Sequence, residues 1–346
     1  MGYYLRQQRW ATLLGGLVVL GLAAVLSTAV GSVPIPPGAI WRLLVGQLFP
    51  GGIPGDFPRS WAPILLQVRL PRVALAGVVG AALAVAGASY QGLFRNPLAD
   101  PYLLGVAGGA SVGASLALAF GLTLPFGLGA TQVLAFAGAL GAALAVYLLA
   151  RVGRSAPVVT LLLAGVALGS LLTAVTSLIL ILSEDRAQII LAWLLGSFGT
   201  ASWERVGTAL PYMVPAALAL LVSARLLNAL QLGDEGALHL GIEIERLKFW
   251  LMVATTLLVA AAVSVSGLIG FVGLLIPHAV RLLWGPDYRF LLPMSALAGA
   301  IFLMAADTAA RTLFPQAELP VGVVTAFCGA PFFLYLLRQR RKELGA

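Results

Sequence analysis

Charge is what this chain has least of. Asp, Glu, Lys and Arg make up 10% of its 346 residues, against about 25% in soluble domains, which excludes a body solvated on all sides. Cysteine is nearly absent: Cys328 stands alone in an apolar run, so an internal disulfide and a multi-cysteine metal site are excluded. The two histidines, His239 and His278, have no flanking ligand set, and no metal centre is expected. No GxxxxGK[ST] phosphate loop occurs, so ATP is not hydrolysed by this chain. No cluster of His, Asp and Glu marks an enzyme embedded at a membrane face. Ionisable residues inside apolar runs are scarce too. Asp307 is the clearest, with Arg311 one turn later. An Asp–Arg pair at i, i+4 neutralises itself, so the expectation is a local ion pair rather than a proton relay. An ion-driven carrier, which needs a buried acid or base near a broken helix, is therefore the weaker of two transporter classes.

Apolar residues are abundant: 60% of the chain, with a mean hydropathy of +0.99. At about 20 residues per span, we predict an all-α polytopic membrane protein, one domain over 1–346, with ten transmembrane helices. The predicted spans lie near 11–33, 65–91, 102–120, 131–150, 158–182, 206–226, 249–264, 267–283, 290–307 and 320–337. Arg6 and Arg9 before the first run suggest a signal peptide. The run is long and lacks a small-residue cleavage site before a soluble domain, so a first span is expected. Pro34–Pro63 reads as a polar connection, and Ser183–Arg205 as mixed, with a short apolar helix at Ala187–Gly196. Small residues at one-turn spacing, Gly77, Gly80, Gly87, Gly109, Gly113 and Gly138 among them, predict close helix approach in lipid.

The net charge of +8 is an orientation signal, not a nucleic-acid signal. With a cytoplasmic N-terminus, about two thirds of the 21 Lys and Arg fall inside, which favours both termini in the cytoplasm. The basic tail Arg338–Lys342 suits anionic lipid headgroups.

Leu230–Lys248 breaks the apolar pattern with Asp234, Glu235, Glu243, Glu245, Arg246, Lys248 and His239. Gly233–Asp234 suits a helix start, with the Asp oxygen accepting from first-turn amides. Leu238 and Ile242 are predicted to share a face, as are Ile244 and Leu247. This is an amphipathic helical hairpin on the cytoplasmic side, fit for docking a cytosolic partner or for nothing more than solvation. Arg69 and Arg72 frame Leu70–Pro71 on the outside, against the orientation rule; they either snorkel or pair with an acidic partner, with Arg311 adding to that surface. Residues 95–101 form a tight turn with two prolines. Pro277 is expected to kink or end the span 267–283, its freed carbonyls met by His278 or Arg281.

In these residues the chain resembles the FecCD/BtuC-like permeases, membrane subunits of type II ABC importers for iron-siderophores, haem and cobalamin. The stretches are RLPR (69–72), QGLFRNPLADPYLLG (91–105), LLLAGVALG (161–169), LGDEGALHLG (232–241), GFVGLLIPHAVR (270–281), ADTAAR (ending at Arg311) and ELPVGVVTAFCGAPFFLYLL (318–337). Together and in order they are specific. The resemblance implies a BtuC-like fold in a bacterial or archaeal cytoplasmic membrane. It implies a homodimer around a central pathway, lined by the fifth and tenth spans. It implies two cytosolic ATPase subunits, carrying the ATP and magnesium, on coupling residues Gly233, Asp234, Glu235, Leu238 and Gly241. A periplasmic or lipid-anchored binding protein would dock on Arg69, Arg72 and Arg311. Asn96 and Leu98 would form a cytoplasmic gate. Val158 and Val159 stand where cobalamin permeases carry small polar residues, which favours an iron-siderophore or haem over cobalamin.

Overall fold

The computed structural model describes residues 2–31, 33–48, 57–125, 129–153, 155–314 and 318–344. Among them there is no sheet, only an isolated bridge between Val152 and Ser155. The helices in order are α1 (Gly2–Ala29), α2 (Pro37–Leu48), α3 (Trp61–Pro63), a π-helical stretch Ile64–Arg69, α4 (Leu70–Leu93), α5 (Val106–Ala119), α6 (Ala130–Ala150), α7 (Val158–Leu182), α8 (Ala187–Leu194), α9 (Trp203–Val222), α10 (Ala224–Leu230), α11 (Asp234–His239), α12 (Ile244–Ser266), α13 (Val272–Trp284), α14 (Tyr288–Thr312) and α15 (Val321–Leu344). Among the described residues, seven helical stretches are long and apolar enough to cross a membrane. Three shorter apolar helices, α5, α13 and Val321–Tyr335 of α15, stand at the third, eighth and tenth predicted spans. The side chains of the basic tail beyond Arg338 lie outside the described residues, as do residues 32 and 49–56 of the predicted first span and connection.

The centre of the bundle is α4, which runs on from α3 through the π-helical stretch and is buried along most of its length. In lipid the hydrophobic effect does not press helices together; close van der Waals packing must. The glycines supply it. A Cβ on Gly80 would sit 2.2 Å from the Gly299 carbonyl oxygen, and one on Gly299 would sit 2.4 Å from that of Gly80. Gly109 and Gly138 repeat this reciprocal contact between α5 and α6.

Three expectations are corrected. The polar connection 34–63 contains α2, with Pro37 at its first position, where a missing N–H costs nothing. Ala39, Ile40 and Leu43 of α2 pack with Ile35 and Leu65. The third and eighth spans start late. Asp100 Oδ1 accepts from the Tyr102 N–H at 2.8 Å, and the chain stays in a turn until Gly105, at φ 74°. Residues 267–271 are also non-helical. The Tyr102 hydroxyl donates to the Ile269 carbonyl at 3.0 Å and accepts from its N–H at 3.1 Å. Irregular backbone inside a bundle must be satisfied by protein, and Tyr102 does this for both polar groups of Ile269. Finally, of the two outcomes expected at Pro277, ending is the one corrected: α13 continues through it to Trp284. Gly273 loses its helical donor there, and Gln91 Nε2 meets its carbonyl at 3.5 Å and that of Leu274 at 3.3 Å. Arg281 instead donates to Gln91 Oε1 at 3.1 Å and to the Tyr288 hydroxyl at 3.2 Å.

Candidate functional site

The candidate residues gather at the two ends of the bundle. At one end α10 and α11 project between α9 and α12. Gly233, at φ 92°, turns the chain into α11, and Gly241, at φ 75°, turns it out; both angles favour glycine. That second turn takes Ile242 off the helix, so it does not share a helical face with Leu238 as predicted. Asp234 is the first helical residue but makes no cap bond. Its carboxylate pairs with Arg95 at 2.9 Å and accepts from Lys248 Nζ at 2.9 Å. Ala237 is buried, whereas Leu232, Leu238 and Leu240 are 68%, 59% and 61% exposed. Three bare leucines within nine residues, beside exposed Glu235 and His239, form an apolar patch with an acidic edge.

The hairpin is rooted in α4 and the start of α14, and through Asp287 is linked to α1. Gln231 Nε2 donates to the Gly92 carbonyl of α4 at 3.0 Å. Asn228 donates to Asp287 Oδ1 at 2.8 Å and accepts from the Tyr288 N–H at 2.9 Å. Asp287, just before α14, also accepts from Arg9 of α1 at 2.7 Å and from Arg289. Burial pushes the Asp287 carboxyl up, but hydrogen bonds from Arg289, Asn228 and Arg9 outweigh it and hold it well below the usual carboxylate range. A depressed carboxylate stabilises the fold fully above its unfolded value of about 3.9 and loses that contribution as pH falls through the folded value. We therefore expect Asp287→Asn to lower stability by about 1–3 kcal/mol at neutral pH. The gap between variant and parent should stay level from pH 8 to 5 and narrow only below about pH 4. Thermal melts in detergent across that range check it; a gap that narrows near pH 6 would assign the effect to another group.

Beside the hairpin lies the turn after α4. Asn96 Oδ1 accepts from the Leu98 N–H at 2.9 Å, an Asx-type turn, and Leu98 is exposed. Arg95 adopts φ 49°, an uncommon angle for a residue with a side chain.

At the opposite end stand the three predicted docking arginines, and none projects freely. Arg69 donates to the carbonyls of Thr28 and Ala29 at 2.9 and 3.1 Å and to that of Val33. Arg311 donates to the Ser27 carbonyl. Together they bind the carbonyls of Ser27, Thr28 and Ala29 at the C-terminus of α1, where a cation is favoured. Arg72 lies between Asp307, which it meets through two nitrogens at 3.0–3.1 Å, and Glu318 at 2.9 Å. The expected Asp307–Arg311 pair is the weaker contact, at 3.7 Å; a fork reaching across from α4 fits both carboxylate oxygens better than the neighbour on the same helix. Glu318 is the exposed member of this cluster.

Several members of these sites escaped sequence reasoning. Glu245–Lys248 carries an i, i+3 signal, and the pair stands at 3.7 Å. Nothing local marks Arg95, Gln91 or Glu318 as partners of residues far away in the chain.

An all-helical bundle of apolar helices, seven of them among the described residues long enough to span a membrane, is the architecture of a polytopic membrane protein. Residues 17–339 match the model of the FecCD transport family, and the chain belongs to that family. It is 48% identical over 283 residues to the cobalamin import system permease protein BtuC of Halobacterium salinarum, covering 82% of this chain and 75% of that one. It is 45% identical over 286 residues to the hemin transport system permease protein HmuU of Yersinia pestis, covering 82% and 85%. Among solved structures it superposes, at TM-score 0.83 and 33% identity over 95% of this chain and 99% of the other, on a transporter described as of the metal-chelate ABC type in an inward-facing conformation. The protein is an ABC importer permease, a transporter subunit rather than an enzyme.

Proposed function

We propose that this permease carries a metal chelate, a haem or an iron-siderophore, across the cytoplasmic membrane, as one half of a homodimer with both termini in the cytoplasm. Two cytosolic ATPases bind the hairpin at Gly233, Asp234, Glu235, Leu238 and Gly241, and the ATP and magnesium belong to them. The observation that carries this reading is the exposed patch Leu232, Leu238 and Leu240 on a polar hairpin. A second reading, cobalamin as cargo, is favoured by the Halobacterium salinarum relative. Against it, Val158 and Val159 at the start of α7 are apolar.

The pathway lies against α7 and α15. Large apolar side chains on both, Val159, Leu163, Leu171 and Phe327 among them, have no cover within the chain. Ser170, Thr173 and Ser177 add an exposed hydroxyl stripe to α7, each bonded to the carbonyl four residues back. Asn96 and Leu98 gate the inner mouth. A periplasmic or lipid-anchored binding protein docks at the end that holds Arg69, Arg72 and Arg311. These three guanidiniums outnumber the two carboxylates among them, so the partner is drawn by a net positive field rather than by free arginine forks.

Leu238→Asp tests the reading. Truncating or charging a buried interface leucine costs about 2 kcal/mol, close to thirtyfold in affinity. The variant should lose its ATPase on purification yet keep the parent's melting temperature. Parent vesicles should take up chelate only with ATP, and continue after collapse of the proton gradient. Full retention of the ATPase by the variant, or uptake that stops with the gradient, would refute the proposal.

A further inference from the structure

A cavity of about 600 Å³ opens between α6, α9 and α12, and none of its walls belongs to α7, α15 or the hairpin. Arg205, in the first turn of α9, lines its mouth. The guanidinium is half-buried, and its hydrogen-bond partners are neutral. Nη1 donates to Thr200 Oγ1 at 2.6 Å. Gln132, with its amide oxygen facing the guanidinium, accepts from Nε at 3.1 Å and from Nη2 at 3.2 Å. An arginine has five N–H donors, so one is left on each terminal nitrogen. The exposed Glu204 lines the same mouth. Among the described residues neither Arg205 nor Glu204 forms an ion pair. The walls change from polar to apolar with depth. Arg205, Thr208 and Tyr212 share one face of α9, and Tyr212 lies about 10 Å further along the helix than Arg205. On α6, Phe136 lies one turn beyond Gln132, and its ring meets that of Tyr212 at a centroid distance of 5.2 Å. Trp203, exposed at the start of α9, donates from Nε1 to the Leu66 carbonyl at 2.8 Å. An anchored, exposed indole marks the membrane–water interface. The charged mouth therefore lies at headgroup depth and the aromatic floor at acyl-chain depth.

We propose that this cavity holds one phospholipid whose headgroup ends in a primary ammonium, of the phosphatidylethanolamine type. The order of groups along the site matches the order along the lipid. From the floor outward the cavity presents aromatic rings, a half-buried cation and an exposed carboxylate; the lipid presents an acyl chain, a phosphate and an ammonium. The two free N–H groups of Arg205 meet the phosphate, a pairing for which a guanidinium is suited. Glu204 meets the ammonium, and the chain lies against Phe136 and Tyr212. A lipid with an uncharged glycerol headgroup leaves Glu204 without a partner and brings a net negative charge beside it, so it binds more weakly. The volume falls within the range of about 300–1,000 Å³ typical of small-molecule sites. It takes the phosphate and the upper part of one chain rather than a whole lipid. The proposal uses only the membrane setting of the helices and is independent of the cargo and of the ATPase.

The test uses the full-length permease, freed of lipid by detergent exchange and titrated with phosphatidylethanolamine or phosphatidylglycerol. Bound lipid is counted by native mass spectrometry, and a phosphatidylethanolamine with a photoreactive acyl chain marks where it sits. We expect phosphatidylethanolamine to bind several-fold more tightly than phosphatidylglycerol, with the label on α6, α9 or α12. Arg205→Met should weaken phosphatidylethanolamine about tenfold, the loss of one charge-assisted contact. Glu204→Gln should erase the preference between the two lipids without weakening phosphatidylglycerol. Arg42→Met, at an exposed arginine of α2, should change neither. Should Arg205→Met fail to fold, Glu204→Gln carries the test from an exposed position. Equal affinity of the parent for both lipids overturns the proposal, as does label confined to other helices or parent-like binding by a folded Arg205→Met. So does an equal loss in Arg42→Met, which would reduce the attraction to surface charge. Inorganic phosphate is the last arm: full displacement of the lipid at millimolar phosphate would make this a free-anion site and also overturn it.

Discussion

Arg72→Met is expected to leave most of the protein unfolded or aggregated on extraction. The substitution strands Asp307, whose side chain is 2% accessible, without the fork that meets both its oxygens. Arg311 at 3.7 Å cannot replace it while bound to the end of α1. Removing one partner of a buried ion pair costs about 3–5 kcal/mol, a large share of a total stability of about 5–15 kcal/mol. Removing both charges is often neutral, so Arg72→Met with Asp307→Leu should recover most of the folded protein; Glu318 is exposed and is left to water. Asp307→Asn alone should be milder, because Arg72 keeps Glu318 and an amide oxygen still accepts. The monodisperse fraction on size exclusion and the melting temperature of the four proteins decide it. If Arg72→Met melts with the parent, the pair does not brace α4 against α14. Charge reversal at Arg72 consequently reports on folding, and docking has to be tested elsewhere on this face.

Gly87→Leu is expected to abolish the fold, and Gly87→Ala to damage it severely. A Cβ at this position lies 1.8 Å from the Gly273 carbonyl oxygen and 2.4 Å from its carbon. These are backbone atoms, which cannot rotate aside, so α4 and α13 must part. Overpacking alone costs about 1–3 kcal/mol. Here the separation also draws Gln91 away from the carbonyls of Gly273 and Leu274. The Gly273 oxygen, already short of a helical donor because of Pro277, is then unsatisfied in the bundle, at a cost of several kcal/mol. Gly141→Ala is the control: nothing lies within 4 Å of its Cβ, and alanine gains about 1 kcal/mol of helix propensity. Folded yield and melting temperature should rank Gly141→Ala level with or above the parent, and both Gly87 variants far below. A well-folded Gly87→Ala would show that α4 and α13 can separate freely.

Element type was legible wherever one helix made its own case. The long spans follow from apolar runs, and α8 and α11 from short runs between polar stretches. The starts of α5 and α13 were not legible. Leu103, Leu104, Leu268 and Ile269 are as apolar as any helical residue, and only the distant Tyr102–Ile269 contact shows why the backbone there can stay irregular. In the hairpin, Leu238 was recognisable as an apolar residue in charged surroundings because those surroundings are local, and it is exposed. Asp234 was misjudged as a cap because its real partners, Arg95 and Lys248, come from two other elements.

By itself, the sequence determined that this protein is a bundle of apolar helices, that the hairpin before α12 is polar and carries exposed leucines, and which motifs tie it to the FecCD transport family. Those properties are sums over neighbouring residues, set by hydropathy, spacing and local turn chemistry. Only the tertiary structure decided which charges meet. Arg72 and Asp307 lie 235 residues apart, and Asp307 has a nearer arginine in the chain at Arg311. A carboxylate in a low-dielectric interior takes the donor that can reach both its oxygens, and that geometry exists only once α4 and α14 have packed at Gly80 and Gly299.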